Sequence, residues 1–146
     1  MLTLRAQLLN QLKEAMKSQD KLRLETIRYL LSLVKNAEID LKHEVSDEEF
    51  MQIVQKEVKR RKEAIEQFKS AGRQETAAEE EDKLEVFFQF MPKQLSEEEL
   101  VSEMQKIKQE INATEIPQLM KEAQARLRGK ADGKDVARVV QQVLRQ

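Results

Sequence analysis

Apolar residues recur along this chain three and four positions apart, and capping or turn residues interrupt the recurrence at a few points. Leu4, Leu8, Leu12 and Ala15/Met16 share one face of a first helix that starts after Thr3. Ser18-Gln19-Asp20 breaks the pattern, and Asp20 is placed to cap a second helix with Leu24, Ile27, Leu31 and Val34, running to about Leu41. Beyond the polar connector 42–45, Ser46-Asp-Glu-Glu49 is a capping box. It opens a third, long helix on Phe50, Val54, Val58, Ile65 and Phe68, with Gly72 as its stop. A fourth helix from about Gln74 is polar at first, then dense in Leu84, Val86, Phe87, Phe88, Phe90 and Met91, until Pro92 ends it.

The pattern resumes after Pro92. Ser96-Glu-Glu-Glu99 is a second capping box, followed by Leu100, Met104, Ile107 and Ile111, with Asn112 closing the helix. Pro117 fits the first turn of the next helix, which carries Ile116, Leu119/Met120, Ala123 and Leu127. A last helix holds Val136, Val139/Val140 and Val143. The expectation is an all-α protein: a four-helix domain over residues 1–92, a hinge near Pro92, and a three-helix tail over 93–146. On the third helix, Arg61 falls between Val58 and Ile65, which sets a guanidinium on or beside the apolar seam. Either its stem lies along the core edge or it pairs with a carboxylate, and Glu38 on the preceding helix is the expected partner in a structural ion pair.

Composition narrows the function more by exclusion than by indication. Charged residues make up 36% and apolar ones 40%, with three glycines and two prolines, the profile of long helices. The absence of cysteine excludes disulfides, thiolate zinc sites and a cysteine nucleophile. No apolar run approaches membrane-spanning length and the first residues hold no signal core, so a soluble, cytoplasmic protein without membrane contact is expected. The single histidine, His43, sits in a polar connector with no second ligand type around it. No dinucleotide fingerprint, nucleophile elbow or metal-ligand cluster occurs, so no cofactor, metal or independent catalytic residue is expected. Phe87, Phe88 and Phe90 read as core rather than as a base-stacking platform.

One stretch stands apart, Arg126-Leu-Arg-Gly-Lys-Ala-Asp-Gly-Lys-Asp-Val136, where a helix stop and a helix start lie almost back to back. Gly129 suits the left-handed closing position, and Asp132 suits the N-cap of the next helix. Arg128, Lys130 and Lys134 surround the corner with positive charge, and a helix N-terminus so flanked is a seat for a phosphate or another anion. Lys130 is followed by Ala131, and Gln124 stands where a P-loop has its first glycine, so this is no nucleotide cradle. On residues alone a tight turn with exposed cations is the commoner reading and a specific anion site the rarer one. Net charge is −1 overall, yet residues 121–146 hold seven Lys/Arg (121, 126, 128, 130, 134, 138, 145) against three acids (122, 132, 135). If RNA is a partner, it meets this end.

Taken together, several segments resemble the YqeY family, which is related to the C-terminal region of the B subunit of the tRNA-dependent amidotransferase (GatB). The segments are Arg28-Tyr-Leu-Leu-Ser-Leu-Val-Lys-Asn-Ala-Glu-Ile39, Lys59-Arg-Arg-Lys-Glu-Ala-Ile-Glu-Gln-Phe68, Ala71-Gly-Arg73, Pro92-Lys-Gln-Leu-Ser-Glu-Glu-Glu-Leu100 and Gly129-Lys-Ala-Asp-Gly133. They lie in family order across nearly the whole chain. The resemblance implies a helical domain followed by a small helical tail. In the amidotransferase the tail-like module contacts tRNA while other parts perform the chemistry. Members of the stand-alone family are often described as having carbon–nitrogen ligase activity by association with that enzyme. No segment here resembles its ATP-binding catalytic domain or its glutaminase, so an RNA-binding role is what carries over. Pro117 and Gln118 stand where the family tends to have a glycine and a cation, which removes a positive charge from the start of the second tail helix.

Three functions remain in contention. The first is an accessory module that binds tRNA or another RNA through Arg126, Arg128, Gly129, Lys130, Asp132, Gly133, Lys134 and Arg138. The second is a component of a glutamine-dependent amidotransferase assembly. The third is an interaction module whose tail docks on a protein partner.

Overall fold

The computed structural model describes residues 2–145, and all regular structure among them is α-helical. Two compact units divide between Met91 and Pro92. The first holds α1 (Leu4–Ser18), α2 (Lys21–Leu41), α3 (Asp47–Ser70) and α4 (Gln74–Phe88). The second holds α5 (Glu97–Ile111), α6 (Ile116–Leu127) and α7 (Gly133–Leu144).

Side-chain caps set the starts of α1, α2 and α3. Thr3 accepts from the Ala6 amide at 3.1 Å, and Asp20 accepts from the Arg23 amide at 3.1 Å. Between them Gln19 takes the left-handed conformation (φ 60°) that reverses the chain. Ser46 and Glu49 exchange side-chain-to-backbone bonds of 3.1 and 2.9 Å, a complete capping box for α3. Each cap satisfies amides that the first turn leaves without an intrahelical partner.

The core of the first unit forms where the apolar stripes meet. Leu8, Ile27, Leu30, Val34, Phe50, Val54 and Phe87 are fully enclosed, and the Phe50 and Phe90 rings meet at 5.8 Å in a tilted pair. Three details depart from the sequence expectation. Ala15 is buried but its neighbour Met16 is 55% exposed, because only one of the two positions falls on the inner face. Val45, in the connector, is buried. The helix α4 ends at Phe88 rather than at Pro92, and i→i+3 turns through Gln89, Phe90 and Met91 carry Phe90 back into the core.

The expected Glu38–Arg61 pair is replaced by two others. Glu38 accepts from Arg5 Nε at 2.8 Å, from Arg5 Nη2 at 3.2 Å and from the Val45 amide at 2.9 Å. Arg61 donates to Glu57 at 3.0 Å and to Glu80 at 2.8 Å, and its guanidinium lies between the Tyr29 and Phe87 rings at 5.2 and 4.8 Å. Hairpin geometry supplies the reason. Glu38 is level with the connector into α3, whereas Arg61 is fourteen residues into that helix, about 20 Å further along its axis.

In the second unit Ser96 and Glu99 form a capping box with two bonds of 3.2 Å. Asn112 closes α5 in the left-handed conformation (φ 53°), and Pro117 sits in the first turn of α6, where its missing N–H costs nothing. Met104, Leu119, Ala123, Val139 and Val140 are fully enclosed. Lys108 Nζ donates to the Val143 carbonyl at 3.1 Å, a cation at the C-terminal end of α7 that suits the helix dipole.

Candidate nucleic-acid interface

The α6–α7 corner is built by one glycine and held by the segment that precedes α5. Arg128 is the C-cap of α6, and Gly129, buried, turns the chain at φ 79°. A side chain there would force a residue with a Cβ into a conformation that glycine adopts without strain. The Lys130 amide then donates back to the Leu127 carbonyl at 2.9 Å. The Leu95 amide donates to the Lys130 carbonyl at 2.8 Å, while Gln94 Nε2 donates to the Gly129 carbonyl at 2.7 Å and to that of Pro92 at 2.9 Å. The corner's backbone acceptors are thereby tied down, and its cationic side chains are left on the outside.

Lys130 and Lys134 are exposed and make no ion pair with a carboxylate among the described residues. Asp132 occupies the N-cap of α7 with extended backbone (φ −67°, ψ 145°), but its side chain makes no cap hydrogen bond to the first turn. Gly133 is the first helical residue, exposed, with open space where a Cβ would be. Arg128 is exposed beside them.

The other two arginines of the candidate set are engaged. Arg138 forks onto both oxygens of Glu97 at 2.6 and 2.8 Å and also reaches Asp135 at 3.3 Å. That fork holds the Glu97 carboxyl below the usual range and raises the guanidinium. Arg126 pairs with Glu110 and, at 2.8 Å, with Glu122; these hydrogen bonds raise its pKa in turn. Both arginines are exposed to solvent, where single ion pairs contribute little to stability and the bidentate Arg138 fork is the stronger geometry. Glu97 and Glu110 come from α5, outside the sequence window that gave this end its positive balance. The charge of the surface is accordingly more local than the sequence count, centred on Lys130 and Lys134.

Sequence reasoning missed Gln94 and Leu95 as the residues that brace the corner. No periodicity marks them, because their role depends on the segment before α5 lying against the α6–α7 turn. His43 is exposed, with Nδ1 2.8 Å from the Glu44 carbonyl. Among the described residues no group of three or more His, Asp or Glu side chains is placed to hold a metal ion, and no helix is long and apolar enough to cross a membrane.

Two small helical units, the second bearing a glycine-built basic corner, define the class: an all-α protein with a tail module. The model of the YqeY-like protein family matches residues 5–144, and the chain belongs to that family. An uncharacterized protein of Schizosaccharomyces pombe is 33% identical over 93 residues, covering 64% of this chain and 76% of that protein. A protein of Lachancea thermotolerans named altered inheritance of mitochondria protein 41, mitochondrial, is 37% identical over 87 residues, 59% of this chain and 46% of its own length. Its namesake in Vanderwaltozyma polyspora is 38% identical over 76 residues, 51% of this chain and 41% of its own. The chain thus matches less than half of each of the two proteins with the mitochondrial name.

Proposed function

We propose that this protein is an accessory RNA-binding module, with tRNA as the first candidate ligand, that contacts phosphate through its second unit. The observation that carries the reading is the pair of exposed lysines, Lys130 and Lys134, on either side of a helix start, next to a turn whose Gly129 and Lys130 carbonyls are held by Gln94 and Leu95. A helix N-terminus with adjacent cations and a close-approach glycine at Gly133 is a chemistry suited to a phosphate oxygen. Arg128 adds charge at the same corner, and Arg126 and Arg138 are able to exchange their carboxylate partners for phosphates at the edge. Contacts of this kind position a nucleic acid without reading its sequence. The resemblance of the tail to that of the tRNA-dependent amidotransferase B subunit supports the same partner, and no observation favours a reaction centre over a binding role.

The test is filter binding of bulk tRNA to the full chain at low salt, compared with a Lys130→Glu/Lys134→Glu variant. Retention by the wild type and its loss in the variant are expected. Equal retention by both would remove the corner from the account.

A further inference from the structure

The first unit carries a surface that the RNA reading does not use: one side of the α1–α2 hairpin. Two side-chain pairs fix how these antiparallel helices meet. Arg5 joins Glu38 on one side of the contact line, and Gln11 joins Arg23 on the other. While the Val45 amide of the connector reaches Glu38 at the Arg5 end, the contacts of α3 and α4 with this hairpin fall on the Gln11–Arg23 side. There the Leu4 amide donates to Asp47 at the start of α3, Arg23 reaches Gln89 beyond α4, and Arg60 and Arg61 of α3 meet Tyr29.

Helical periodicity assigns the opposite side. Leu9 and Met16 follow Arg5 along α1 at i+4 and i+11, and Leu31 and Leu24 precede Glu38 along α2 at i−7 and i−14. Met16 is 55% exposed, Leu9 is half-buried outside the core, and Leu24 and Leu31 are half-buried and pack against the core. Lys13, Arg28 and Lys35, all exposed, rim this seam. Of the nearby carboxylates, Glu38 and Glu44 lie at the Arg5 end and act on that guanidinium, and exposed Glu25 stands one turn before Arg28.

We infer that this face takes an acidic amphipathic helix of a partner protein. Two helices side by side with a half-exposed aliphatic seam offer the groove that a further helix fills in a bundle. The basic rim selects acidic flanks on the incoming helix. The seam is aliphatic and has no aromatic platform on which a base would stack, which disfavours RNA. Isologous docking of a second copy would set the same cations against one another, which disfavours self-association.

The probe is a designed peptide about three heptads long, with Leu at the a and d positions and Glu at e and g, titrated into the full chain by fluorescence anisotropy. A matched peptide with Lys at e and g is the control. The Glu peptide is expected to bind and the Lys peptide is not. Leu9→Ser/Met16→Ser weakens binding about tenfold, and Lys13→Glu/Arg28→Glu reverses the preference toward the Lys peptide. Circular dichroism checks that each variant keeps its helix content, and Lys130→Ala/Lys134→Ala leaves peptide binding unchanged, so this result stands apart from the RNA test. Binding of neither peptide, equal binding of both, or insensitivity to the seam and rim substitutions overturns the inference. So does a dimer in light scattering that Met16→Glu dissolves, since the occupant is then a second copy. Binding to anionic vesicles that is lost in Lys13→Glu/Arg28→Glu, with no peptide binding, assigns the face to a membrane instead.

Discussion

Glu38 ties three segments together, because its carboxylate accepts two bonds from Arg5 on α1 and one from the Val45 amide in the connector to α3. The Arg5 hydrogen bond is the main reason its carboxyl lies below the ordinary value of 4.5. A carboxyl depressed on folding contributes stability that is fully present above the unfolded value and is lost as pH falls through the folded one. Glu38→Gln should therefore lower the unfolding free energy at neutral pH by about 1–3 kcal/mol, and the difference should close in acid, where the wild-type carboxylate is protonated. Urea titrations at both ends of that range check this; a difference that stays constant with pH would contradict it. Arg61 is the second such residue. Its side chain is 12% exposed and that of Glu57 only 7%, so truncation leaves a buried carboxylate with Arg60 as its remaining partner, at 2.6 and 3.3 Å. Arg61→Ala should cost about 3 kcal/mol, measured by the same titration. Arg61→Lys should recover only part of this, since an ammonium neither forks between Glu57 and Glu80 nor stacks between two rings.

Among the described residues, most helix ends were legible in the sequence because they are written in local chemistry. Thr3, Asp20, Ser46 and Ser96 all accept from the amide three residues on, as their residue types predict, and Asn112 and Gly129 both adopt the left-handed closing conformation. Pairing between helices was not legible to the same degree. Glu38 and Arg61 looked compatible on their helical faces, yet partner choice depends on register along the hairpin, and Arg5 is level with Glu38 while Arg61 is not. At the corner, the left-handed turn at Gly129 was readable from its type and spacing, and Asp132 takes the expected N-cap position without the expected cap hydrogen bond. Gln94 and Leu95, which brace it, and Glu97 and Glu110, which engage its arginines, arrive from α5 and the segment before it. The glycine makes a prediction at this scale. Gly129→Ala places a Cβ at φ 79° and should destabilise the tail by about 1 kcal/mol or more, with a lower melting temperature. Gly133→Ala, at a helical position facing open space, should stabilise it by about 0.5 kcal/mol. Equal effects of the two alanines would mean that the corner does not depend on the left-handed turn.

At the scale of the whole molecule, a net charge of −1 gives no general attraction to nucleic acid. Any RNA affinity must come from where the charges lie. The second unit pairs Arg126 and Arg138 with carboxylates and leaves Lys130 and Lys134 exposed on either side of a helix start. The central claim is that these two lysines neutralise phosphates, and each phosphate neutralised releases counterions in proportion. The most direct measurement is the slope of log affinity for bulk tRNA against log salt, by fluorescence anisotropy, for wild type and Lys130→Ala/Lys134→Ala. Measurable binding that weakens steeply with salt is expected of the wild type, with a slope shallower by roughly one and a half to two units in the variant. An unchanged slope, or no binding by the wild type even at low salt, would contradict that claim.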